Sequence, residues 1–273
     1  ARTWDVIHGV AEQREVTLLG CVPTRPTRTM FARVESPDIQ TISATIVIVG
    51  AHVSGEEDAA FAAAEISVED LMLWAASSVF SAHHGTRNGI PDGTGAILVK
   101  PVAAQSATVN NTEYRLEHTH TLPFWDWSRG KTVGRMRDVV SIRVRWAEPS
   151  ALKTALEAAS LVQDLIALAT HRAAGVIWLQ LELAGTKALL PDGRMLPPRR
   201  ADVLYSPVAV GKSDEQAVDP GSVLFTCEML PFEELMPHWC EVRGKLQAAI
   251  NMILGLRYAP ARFVENNLLM AVG

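Results

Sequence analysis

Cysteine is scarce in this chain: among 273 residues only Cys21, Cys227 and Cys240 carry thiols. An odd count at such wide spacing excludes a disulfide framework, and no pair has the C-x-x-C form of a zinc knuckle or a redox dithiol. A reduced, cytoplasmic setting is the expectation. Long apolar runs are missing as well. No stretch approaches the ~18 consecutive apolar residues that a membrane span needs, so no membrane association is predicted. There is no excess of positive charge either. The formal net charge is −5, which gives no global electrostatic reason to bind nucleic acid or an anionic membrane. Arg135, Arg137, Arg143 and Arg145 are the nearest approach to a basic patch, and they read more plainly as the solvated face of a strand.

The signatures of common chemistries are absent too. There is no G-x-S-x-G elbow and no H-E-x-x-H. Val210–Ser213 ("VGKS") and Arg129–Thr132 ("RGKT") end like phosphate-binding loops. However, Ser206 and Trp125 stand where the leading glycine must be, so neither can curl its backbone amides around a phosphate. Glu56, Glu57 and Asp58 cluster in a turn and read as solvated carboxylates. No acid–base pair has a recognisable spacing, so no catalytic residue and no cofactor is predicted.

What the chain does contain is enough apolar material for a sizeable core, 48% of residues, with 20% charged. Both figures argue against disorder. At roughly 150 residues per domain, the length fits one large domain or two smaller ones. The first half reads as β. Glu15–Cys21 and Thr41–Val53 are rich in β-branched residues, and the run Ile46–Val49 suggests burial on both faces. Phe61–Ser78 reads as a strand entering a short helix, with Ser67 as its N-cap and Glu69 and Asp70 in its first turn. His83–Gly95 is dense in turn formers and reads as a loop. Ala96–Val102 and Thr108–Thr119 read as strands.

Asp138–Trp146 is the clearest strand, with Val140, Ile142, Val144 and Trp146 on one face. The clearest helix opens at Pro149 and ends at Gly175, with Leu152, Ala155, Leu156, Ala159, Val162, Ile166 and Ala169 as its apolar stripe. Val176–Leu183 and Asp202–Val210 read as strands, and Gly211–Gly221 as a polar loop. From Pro231 the pattern turns helical, with Leu235, Trp239, Val242, Leu246, Ala249, Ile250 and Ile253 facing inward. A last helix opens at Pro260.

The predicted class is therefore α+β. A β-rich body, sandwich-like and mostly antiparallel with one long packing helix, occupies residues 1–225. A helical segment follows over 226–273. Because a helix is gathering at Gly273, the chain is expected to be a piece of a longer protein.

Two groups of residues suggest sites. Leu122–Lys131 ("LPFWDWSRGK") sets Phe124, Trp125 and Trp127 beside Arg129 and Lys131 in what reads as a loop. Exposed aromatics next to cations recur where proteins or bases are recognised. Rings plugging the end of a β core are the plainer alternative. The histidines are the second group. His118 and His120 fall on one face of a strand and could form a ligand pair. With His52, His83 and His84 they define the alternative reading, a metal-dependent hydrolase or phosphodiesterase.

Three stretches together, Val16–Cys21 ("VTLLGC"), Ile46–Ala75 ("IVIVGAHVSGEEDAAFAAAEISVEDLMLWA") and Arg257–Met270 ("RYAPARFVENNLLM"), resemble ApeA-type bacterial proteins. In these a β-rich N-terminal domain precedes a helical HEPN domain. Within the last stretch, Arg262, Phe263, Glu265 and Asn266 look like the opening of the HEPN helix. The resemblance implies an anti-phage protein whose HEPN part is a metal-independent ribonuclease that aborts infection, with the N-terminal region restraining the nuclease or sensing a phage protein. It also implies RNA as a partner through a HEPN part beyond Gly273, and a homodimer or higher homo-oligomer. An Arg–His pair carries the chemistry of HEPN nucleases. The loose Arg–His patterns at Arg2–His8 and Arg115–His120 lie in the β-rich region and do not take over that role.

Overall fold

The computed structural model describes residues 3–26, 40–128, 130–185, 196–205 and 220–258. The first elements are β1 (Trp4–Ala11), β2 (Arg14–Pro26), β3 (Gln40–Ser43), β4 (Ile46–Val49), β5 (Phe61–Val68) and α1 (Leu71–Ala75). Then come β6 (Phe80–Arg87), β7 (Ile90–Val99), β8 (Gln105–Val109), β9 (Thr112–Ser128) and β10 (Lys131–Ser150). The chain continues through α2 (Leu152–Thr170), β11 (Val176–Leu183), β12 (Arg200–Tyr205) and α3 (Phe232–Tyr258). The expected α+β class holds: strands dominate, pairing is mostly antiparallel, one helix is long and buried, and another lies toward the C-terminal end.

Two units can be distinguished. The first comprises the described residues of Ala1–Glu65, Arg145–Ala159 and Trp178–Ala209. Its strands run in the order β1-β2-β4-β12-β11-β5, with β3 pairing to β2. Leu19, Cys21, Ile48, Val53, Phe61, Leu152, Leu179 and Val203 are buried in this unit. Thr17 is buried with them. Its hydroxyl donates to the Ala51 carbonyl (2.9 Å) and accepts from the Val53 amide (3.2 Å), so no polar atom of that side chain is stranded.

The second unit comprises the described residues of Ile66–Val144, Ser160–Ile177 and Val210–Gly273. It holds the strand order β5-β10-β9-β8 and a separate two-stranded ribbon, β6-β7. Val140, Ile142 and Val144 alternate into its core as expected, while Arg145 stays outside. Ile66, Leu71, Trp74, Leu116, Val162, Ile166, Phe232, Met236 and Trp239 complete that core.

Hairpin turns explain several departures from the sequence-based expectations. β1–β2, β6–β7 and β8–β9 each turn through two residues of positive φ: Glu12 and Gln13, Asn88 and Gly89, Asn110 and Asn111. Such turns match the right-handed twist of paired strands. The stretch His83–Gly95 is thus a strand hairpin and not a loop. Thr108–Thr119 is likewise not one strand, because the chain reverses at Asn110-Asn111. Thr41–Val53 also divides, into β3 and β4.

The helix boundaries differ too. Ser67 lies in β5 and does not cap α1; its hydroxyl donates to the Val140 carbonyl at 3.1 Å. Pro149 lies at the end of β10, and α2 begins only at Leu152. That helix ends at Thr170, followed by His171 in the left-handed region, and not at Gly175. Along α3, Leu235, Trp239 and Ile250 face inward, but Val242, Leu246, Ala249 and Ile253 are exposed. The helical path breaks at Leu246 (φ −116°, ψ 23°), so one 3.6-residue period cannot describe both halves.

Candidate functional site

The aromatic stretch that reads as a loop is the end of a long strand. β9 runs through Phe124, Trp125 and Trp127 to Ser128, and β10 resumes at Lys131. Strand alternation sends Pro123, Trp125 and Trp127 to one face and Leu122 and Phe124 to the other. These side chains do not plug a core. Leu122 is 68% exposed, Phe124 69%, Trp125 57% and Trp127 79%. Asp126 pairs with Arg135 of β10 at 3.5 Å, on the solvent side. Lys131 is exposed at the start of β10. Arg129, the fifth member of this group, lies outside the described residues, as do Arg262, Phe263, Glu265 and Asn266.

Trp125 forms one wall of an open cleft of about 660 Å³. Pro123, Gly134 and Met136 of the β9–β10 pair line it together with Ala96 and Ile97 of the ribbon, and His83 and His84 stand at its edge. Gly134 is where the indole rests: a Cβ there would lie 2.9 Å from Trp125 Cζ3, so only glycine admits the ring in this position. The cleft combines apolar walls with two imidazoles, a composition suited to apolar side chains of a partner.

The histidines separate. His52 belongs to the first unit, stacked on His8 with ring centroids 4.8 Å apart, and its Nε2 bonds the Gly9 carbonyl. His120 meets Phe80 edge-on. His118 is engaged at both ring nitrogens: Nδ1 lies 3.0 Å from Asp138 Oδ1 and Nε2 lies 2.9 Å from Ser77 Oγ. The side chains of His118 and Asp138 are 3% and 2% exposed. The other carboxylate oxygen accepts from the Ser78 hydroxyl and the Val79 amide, each at 3.0 Å. Burial pushes the Asp138 carboxyl up, but the bonds from His118, Val79 and Ser78 together outweigh it and hold the group below its usual range. Among the described residues no three of His, Cys, Asp and Glu gather as a metal centre would require.

Neither Ser77 nor Asp138 is marked by any local motif. They lie 41 residues before and 20 residues after the residues they join, respectively: Ser77 to His118, and Asp138 from it. The adjacency of β9 and β10 and the turn after α1 bring them together. Of the thiols, Cys21 and Cys227 are buried, and burial pushes the Cys227 thiol up to about 12. Burial also holds the half-buried Cys240 thiol above its usual range.

The fold and its cleft define a β-rich α+β module with an exposed aromatic surface. The family described as ApeA N-terminal domain 1 matches residues 1–239, and the chain belongs to that family. The assignment supports a role in antiviral defence. No curated protein and no solved structure matches the chain. No helix among the described residues is long and apolar enough to cross a membrane.

Proposed function

We propose that this chain is the sensing and regulatory N-terminal region of a bacterial abortive-infection ribonuclease of the HEPN type, and that a phage protein is the trigger it senses. In this reading residues 1–225 form the sensor, and residues 226–273 lead into the nuclease, whose first helix opens with Arg262, Phe263, Glu265 and Asn266. RNA is met by the HEPN part, in the cytoplasm, by a homodimer or higher homo-oligomer. Family membership supports the defence role.

The single observation carrying the sensor role is the exposure of Phe124, Trp125 and Trp127 along one strand end, where Trp125 walls an apolar cleft. Large rings held out in water on a rigid strand bring a penalty that a partner's burial of them removes. Aromatic anchors of this kind commonly contribute 2 kcal/mol or more each to an interface, roughly a 30-fold change in affinity. Because the rings are exposed in the free chain, removing them leaves the folded core intact.

The test is the double substitution Trp125→Ala, Trp127→Ala in the full-length protein. Protection against phage is expected to fall by at least about tenfold, with the unfolding midpoint of the chain unchanged. Full protection by the double variant would refute the assignment of this surface.

A further inference from the structure

The polar group at the turn after α1 has the connectivity of a nucleophilic site. Asp138 is ionised at neutral pH, because its carboxyl is held below the ordinary carboxylate range. An ionised carboxylate can only accept, so His118 Nδ1 must carry the proton of that hydrogen bond. In the neutral imidazole, Nε2 is then a bare acceptor, and the Ser77 hydroxyl donates to it at 2.9 Å. The order is hydroxyl to imidazole to carboxylate, with each distance in the range required of a nucleophile, its base and the group that orients the base.

Two further features set Ser77 apart from a serine that merely satisfies a buried histidine. It is only half-buried and lies on a shallow, open depression with Asp70, Met72, Leu73, Ala76 and Ser78. The residue before it, Ala76, closes α1 in the left-handed region (φ 52°) with its amide donating to the Leu73 carbonyl, which fixes the turn that carries Ser77.

We propose that Ser77 is an acyl-accepting nucleophile, with His118 as its general base and Asp138 as the residue that positions His118, acting on neutral carboxylic esters with an apolar acyl group. The depression selects that class. Met72, Leu73 and Ala76 offer apolar contact to the acyl group, and the Asp70 carboxyl in the same wall is already matched by Arg172 at 4.0 Å, so among the described residues no free cation is left there to hold an anionic chain. Ser77 Oγ attacks the ester carbonyl carbon while its proton passes to His118 Nε2. The tetrahedral intermediate collapses, the bond to the alcohol oxygen breaks, and the leaving alkoxide takes that proton from His118. Water then attacks the acyl-serine, losing a proton to His118, and the acid departs as the proton returns to Ser77 Oγ. No group is oxidised or reduced.

The test treats the 273-residue chain with an alkyl fluorophosphonate and locates the adduct by peptide mapping. One phosphonyl group on Ser77, absent from heat-denatured protein, is the expected result. Ser77→Ala should abolish it, and His118→Gln should slow its formation at least about 100-fold. Asp138→Asn should slow it by about 10³–10⁴-fold and change the pH–rate profile, since an amide donating to Nδ1 forces the proton onto Nε2. Hydrolysis of p-nitrophenyl butyrate should follow the same order of variants. No adduct above the denatured control, an adduct on any other residue, or a rate indifferent to His118→Gln would overturn the assignment. Because the adduct is located in the unsubstituted chain, its presence and its position do not depend on any variant folding.

Discussion

Replacing Phe232 by alanine is expected to destabilise the second unit by about 3–5 kcal/mol, the range for deleting a fully enclosed aromatic ring. Phe232 has no exposed surface and opens α3. Its ring meets Trp74 edge-on, with centroids 6.3 Å apart, and its amide donates to Gln105 Oε1 at 3.2 Å. Phe232, Leu235, Met236 and Trp239 are the buried positions i, i+3, i+4 and i+7 of one helix face. The first of them anchors that face where backbone bonding is thinnest. Nearby, the Cys227 amide donates to the Trp74 carbonyl at 3.0 Å, so the segment before the helix is tied to the same tryptophan.

One feature pulls the expected cost toward the lower end. Trp74 Nε1 is buried with no hydrogen-bond partner among the described residues. A water entering the vacated space could accept from it, which a dry apolar cavity would not allow. Trp74→Phe separates the two effects: it removes the unpartnered donor with a small volume loss and should cost less than about 2 kcal/mol. Urea unfolding of the three proteins is the measurement. A loss below about 1 kcal/mol for Phe232→Ala would show that α3 does not depend on this ring.

How far the sequence could be read depended on whether a feature is local. β10, α2 and β11 were legible because their periodicities persist over many residues, as with Val140, Ile142 and Val144. The β6–β7 ribbon was not, since its glycines imitate a loop. Yet Gly85 sits in a strand, where a side chain would collide with Asp92 and Thr94 of the facing strand. β1 was missed because its turn uses Glu12 and Gln13 rather than the usual Asn-Gly. The same division holds for the sites. Phe124, Trp125 and Trp127 announce themselves by adjacency, whereas Ser77, His118 and Asp138 meet only through the pairing of β9 with β10. The inward face of α3 could be followed only as far as the break at Leu246.

Asp138→Ala tests how much of the second unit rests on that pairing, and its cost should be about 3–5 kcal/mol at neutral pH. The loss is larger than that of a surface ion pair for a specific reason. The carboxylate is 2% exposed and accepts from three donors, His118 Nδ1, the Ser78 hydroxyl and the Val79 amide, all of which would be left without it. Water does not readily replace an acceptor so enclosed. The pH dependence gives an independent check. Because the folded-state carboxyl titrates below its unfolded value, the stability it contributes is fully present above about pH 4 and is lost as pH falls through the lower, folded value. The alanine variant has no such group to titrate. Curves of unfolding free energy against pH for the two proteins should therefore lie far apart at pH 7 and narrow below about pH 4 by the part of the gap that the carboxyl's lowered titration supplies. A gap that stayed constant down to pH 3, or never exceeded about 1 kcal/mol, would mean that the turn after α1 is held by something other than this carboxylate.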